Sequence, residues 1–127
     1  MTRHGLLVAA VLLVGMTSAS AQGPLDGRWA LYPEACDIQP GEGDGVPLII
    51  EGNDLLFYES ACTITSWTPI GTAESAWHVT MDCGGEGELW TEEATFALAR
   101  DVEGNLSHLV SLDTNSGVVD LRSYCGQ

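Results

Sequence analysis

No window of helical length in this chain keeps a 3.6-residue apolar period. Short β-type runs alternate instead with clusters of Gly, Asp, Asn and Ser, and that rhythm points to an all-β domain. The predicted strands are 28–32, 46–51, 55–60, 62–68, 76–83, 88–99, 106–112 and 117–124. Between them lie turn sequences such as "GND" (52–54), "CGGEG" (83–87), "DVEGN" (101–105) and "DTNSG" (113–117). "AWHVTMDC" alternates most cleanly, with Trp77, Val79, Met81 and Cys83 on one face and His78, Thr80 and Asp82 on the other, as a half-buried antiparallel strand does. "TEEATFALAR" (91–100) contains good helix formers. Phe96 and Leu98 nevertheless alternate with Thr95 and Ala97, and the stretch is read as strand. Eight strands in so short a chain suggest a small antiparallel barrel, which removes exposed edges by closing on itself.

The N-terminus is read as a segment separate from that domain. Arg3 and His4 precede a nearly wholly apolar run from Gly5 to Val14, and Ala19-Ser20-Ala21 is a cleavage-site pattern. The run is well short of the roughly 20 residues that a membrane span needs. Residues 1–21 are therefore expected to be a signal peptide and 22–127 a single domain, with no membrane span and a periplasmic or extracellular destination. Removing 21 of 127 residues leaves 106, enough for one small domain whose core is marginal without covalent staples.

Cys36, Cys62, Cys83 and Cys125 all lie in the domain, and export to an oxidising compartment makes two disulfides the expectation. No C-x₂-C pair is present, so zinc is not expected. Four cysteines permit three connectivities. The predicted hairpin of strands four and five sets Cys62 opposite Cys83, which leaves Cys36 with Cys125. Strict up-and-down order strains that scheme and also any scheme that joins Cys83 to Cys125, so the residues alone leave the pairing open.

All 18 acidic residues lie beyond residue 21, with only Arg28, Arg100 and Arg122 to oppose them, a formal balance of 3 − 18 = −15. Such a charge repels nucleic acid and anionic membrane surfaces. It suits a soluble exported monomer or attraction to a basic partner. Glu86, Glu88, Glu92 and Glu93 form the densest acidic run, in or beside a Gly-rich turn, and read as a solvated face rather than a catalytic pair. "GEGDG" (41–45) and "GGEGE" (84–88) lack the spacing of a calcium loop. His78 and His108 have no nucleophile beside them, and no catalytic residue, metal or cofactor is assigned. The aromatic residues are expected to fill a small, solidly packed barrel interior.

"GRWAL", with Gly27 and Trp29 at the opening of the first strand, resembles the start of lipocalin-like barrels. The resemblance implies that Trp29 closes one end of the barrel and that Arg122 in "DLRSYC" packs across it. Simple alternation, with Val119 and Leu121 inward, turns Arg122 the other way, so that packing requires the strand end to bend. The longer pattern "GRWAL…CDI…L…AC", from Gly27 to Cys62, is similar to the bacterial alkaline-protease inhibitors, secreted eight-stranded barrels that block zinc metalloproteases. That resemblance implies a non-enzymatic binding protein whose partner is a secreted metalloprotease. It also implies an N-terminal arm, here Gln22, Gly23, Pro24 and Leu25, that projects into the protease cleft, and a disulfide Cys36–Cys62, from which Cys83–Cys125 follows. The alternatives are a carrier of a small apolar ligand and an interaction protein of the cell envelope.

Overall fold

A computed structural model describes Gly15, residues 22–39, 42–43 and 45–127. The expected signal peptide, Gly15 apart, lies outside the described residues. Eight antiparallel strands run in sequence order around a closed barrel: β1 (Gly27–Ala30), β2 (Leu48–Glu51), β3 (Asp54–Phe57), β4 (Ser60–Pro69), β5 (Ala76–Gly85), β6 (Glu88–Arg100), β7 (Leu106–Asp113) and β8 (Val119–Gly126). The expected eight-stranded all-β barrel is what forms, and 91–100 is strand throughout. No helix among the described residues is long and apolar enough to cross a membrane.

Local chemistry sets the turns. β5 and β6 are joined at Gly85↔Glu88 by Glu86 and Gly87, both at positive φ (51° and 81°), as a two-residue hairpin of the primed type demands. Gly27 is required where it stands. Its φ is +145°, and a Cβ there would lie 2.6 Å from the Tyr124 ring. Strand closure follows from the pairs Trp29↔Tyr124 and Ala30↔Ser123, with a bulge between Arg28 and Trp29.

Trp29, Leu48, Ile50, Leu55, Val79, Phe96 and Leu109 fill the centre of the barrel. The end where β1 begins is sealed by the segment ahead of it. Leu25 is fully buried, and its carbonyl accepts the Trp29 indole N–H at 2.9 Å. Asp26 Oδ1 accepts the Gly52 N–H at 2.7 Å, which ties the same segment to the β2–β3 turn.

The disulfides are Cys36–Cys125 and Cys62–Cys83. All four cysteines are thus paired, but the partners implied by the resemblance, Cys36–Cys62 and Cys83–Cys125, are not those that form. Two features of the fold explain this. Cys62 and Cys83 are direct partners across the β4–β5 hairpin, with Cα atoms 4.0 Å apart. The chain leaving β1 does not stay at the rim. It forms a 3₁₀ turn, Pro33–Asp37, that packs on the outside of β1 and β8 and brings Cys36 to 5.5 Å, Cα to Cα, from Cys125. Arg28 Nη2 holds that turn through the Cys36 carbonyl at 2.7 Å. A bulge between Ile64 and Ser66 then shifts the rest of the hairpin by one residue, so Trp67 faces Val79 and Thr68 faces His78.

Candidate functional site

The face that β8 turns inward is the opposite of the one alternation suggested. Val119 and Leu121 are 61% and 56% exposed, while Arg122 pairs with the buried Leu109 and Asp120 with Ser111. The inward row of β8 is therefore Asp120, Arg122 and Tyr124, and no bend is needed. Tyr124 is the ring that packs on Trp29, at 4.8 Å between centroids and 49° between planes. Arg122 lines one cavity of about 300 Å³ together with Trp29, Leu48 and Phe57. Its own side-chain partners are Ser111 Oγ at 3.4 Å and the Asp120 carboxylate at 3.6 Å. Burial pushes the Arg122 pKa down and Asp120 opposes that shift. An arginine starts from so high a value that it stays charged.

The same inward alternation carries polar groups up the wall on β6 and β7. Glu92 faces Met81 across β5–β6, and Asp113 faces Ala94 across β6–β7. With Ser111, Asp120 and Arg122 they line a cavity of about 290 Å³, and Phe57, Met81 and Phe96 supply its apolar part. Glu92 thus leaves the solvated acidic run to which its neighbours in sequence assign it. The expected solid packing holds only in the half of the barrel nearest Leu25. The other half is a cup with three carboxylates, one guanidinium and an aromatic lining.

Each carboxylate is positioned. Glu92 Oε1 accepts the Trp90 indole N–H at 2.7 Å. Its carboxylate lies within 4.8 Å of the Cys62 and Cys83 sulfurs, but those are bonded to each other and offer no thiolate to a metal. Asp113 caps the β7–β8 turn, with Oδ1 accepting the N–H groups of Asn115 at 2.8 Å and Ser116 at 3.0 Å. The Ser116 N–H is the largest cause of a lowered Asp113 pKa, opposed by desolvation and reinforced by the Asn115 N–H and the Ser116 hydroxyl. A depressed carboxyl pKa stabilises the fold above the unfolded value and loses that contribution as pH falls through the folded value. The turn at 113–118 is therefore expected to loosen only below the ordinary aspartate range. NMR titration of the Asn115 and Ser116 amides checks this. An Asp113 midpoint at or above the ordinary value near 3.8 contradicts it.

The N-terminal residues assigned to a projecting arm are placed differently. Leu25 is part of the core. Gln22, Gly23 and Pro24 lie along a groove with Asn53, Trp67 and Trp77, where Asn53 Oδ1 accepts the Trp67 indole N–H at 2.8 Å. Only Gln22 and Pro24 of the four are well exposed. Sequence reading missed Glu92, Ser111, Asp113 and Asp120 as cavity residues. The available signal was Tyr124, which places Asp120 and Arg122 on its own face of β8. Compared with known protein families, with characterised proteins and with solved structures, the chain has no significant match.

Proposed function

We propose that this is an exported, monomeric binding protein without catalytic activity, and that its cup takes a small organic cation. The observation that carries this reading is the excess of negative charge lining a half-open cavity. Glu92, Asp113 and Asp120 face one Arg122 inside a cavity of about 290 Å³ whose far end is sealed by Leu25 and Trp29. Three carboxylates against one guanidinium leave a net negative lining, and a cleft of net negative potential attracts cations. The Phe57 and Phe96 rings in the lining are available to an ammonium, and Met81 to its apolar body. The volume lies at the small end of ligand pockets, so the ligand is small. Three carboxylates and a guanidinium in the lining weigh against a purely apolar cargo. Export is supported by the N-terminal apolar run with its A-x-A site and by the two disulfides.

Calorimetric titration with phenethylamine, 2-phenylethanol and phenylacetate tests the reading, because the three share a shape and differ in charge. The amine is expected to bind about tenfold or more tighter than the alcohol, and the carboxylate not to bind. Glu92→Gln should lower amine affinity by about tenfold. Equal binding of amine and alcohol rejects the cation site. The competing reading, a metalloprotease inhibitor acting through its arm, draws support from the barrel architecture that the resemblance implies. The burial of Leu25 stands against it. Inhibition of a secreted zinc protease that vanishes when only Gln22–Pro24 are removed, with Leu25 kept, would transfer the function to the arm.

A further inference from the structure

We propose that a second ligand site lies on the outside of the barrel, a groove that takes a free aliphatic carboxylate. Strand register sets Arg28, Ile49 and Leu56 in one outward row across β1, β2 and β3. Ile38, Val46 and Pro47, from the connection between the 3₁₀ turn and β2, line the groove with that row, and Tyr58 and Glu59, from the turn that follows β3, complete the lining. The space is about 270 Å³. Leu56 and Tyr58 are 53% and 45% exposed, so the groove is open to water and presents apolar surface to it.

Arg28 makes this more than an apolar depression. Its Nη2 donates to the Cys36 carbonyl, which fixes the guanidinium in place. Among the described residues no carboxylate lies within ion-pair distance of it, although the chain carries 18 acids. A fixed guanidinium with no carboxylate partner among the described residues, beside an aliphatic row, matches a carboxylate head with an alkyl tail. The head meets the planar fork of donors, and the tail is withdrawn from water along Ile49, Leu56 and Tyr58. Glu59 also lines the groove and repels a carboxylate, so the head is expected at Arg28.

The site is separate from the cup, and its test is independent of it. Octanoate, octanol and octylamine are titrated against the oxidised protein, with affinity read by calorimetry and location by amide shifts. Octanoate is expected to bind about tenfold or more tighter than octanol, and octylamine weakest at this groove. Leu56→Glu, at an exposed position that the fold tolerates, should lower octanoate affinity by about tenfold or more. Arg28→Gln should erase the preference for octanoate over octanol, and Glu92→Gln in the cup should change nothing. Absence of octanoate binding, equal binding of octanol, or indifference to Leu56→Glu overturns the proposal. So does loss of octanoate binding in Glu92→Gln, which would place the ligand in the cup. Dimerisation through this face that excludes octanoate overturns it too.

Discussion

Replacing Trp29 by alanine is expected to destabilise the protein by about 3–5 kcal/mol. The ring is fully buried between Leu25, Leu48 and Tyr124, and nothing nearby is free to collapse into its place. Tyr124 is held over Gly27 by the strand pairing that closes the barrel, and Leu25 is anchored through Asp26 to the β2–β3 turn. The substitution also strips the Leu25 carbonyl of its donor. A domain of this size commonly has only about 5–15 kcal/mol of stability, so the loss is a large share of the whole. Trp29→Phe keeps a ring but not the N–H, and should cost on the order of 1–3 kcal/mol. Urea unfolding followed by far-ultraviolet circular dichroism measures both. A Trp29→Ala variant within about 1 kcal/mol of the parent would show that the indole does not seal the barrel.

The second large effect concerns the cross-links. Chain entropy assigns a disulfide more stabilisation the longer the loop that it closes. Cys36–Cys125 spans 89 residues of sequence and Cys62–Cys83 spans 21. On that account loss of the first costs about 4–5 kcal/mol and loss of the second about 3–3.5 kcal/mol. Paired Cys→Ala variants compared by denaturant unfolding should rank in that order, because the long link also pins the 3₁₀ turn across the β1–β8 seam. The connectivity itself is readable by mass spectrometry. Cleavage after glutamate releases 35–42, 60–74, 75–86 and 104–127, each with one cysteine. Non-reduced digests should show 35–42 joined to 104–127 and 60–74 joined to 75–86. A link between 35–42 and 60–74 would contradict this fold at the 3₁₀ turn.

Much of the architecture is legible in the sequence. Alternation in "AWHVTMDC" named the buried face of β5 correctly, with Val79 wholly buried and Met81, Cys83 and Trp77 nearly so. The turn sequences bounded the strands, and Gly52, Gly71, Gly87, Gly104 and Gly117 in them take the positive φ that a glycine adopts without strain. The β4–β5 register around Cys62 and Cys83 was also within reach of counting, and only the bulge at Ile64–Ser66 displaced the half beyond it. The cup was harder. In "VVDLRSYC" the two faces of the strand are Val119, Leu121, Ser123 and Asp120, Arg122, Tyr124, and hydrophobicity favours turning the wrong one inward. Similarly, Glu92 sits among acids in sequence yet faces the interior.

What the sequence alone determined is what short-range physics controls: strand-forming alternation, turn positions, the count of strands and the supply of four cysteines for two bridges. What the tertiary structure decided depends on long-range placement. Cys36 meets Cys125 because a 3₁₀ turn folds back outside the barrel, across a separation that no local pattern records. Leu25 is a plug rather than part of an arm because the barrel end offers it a buried site above which Trp29 closes. Asp120 and Arg122 face inward because closure needs Tyr124 against Trp29 and Gly27, and a period of two then carries every second residue of β8 into the cup.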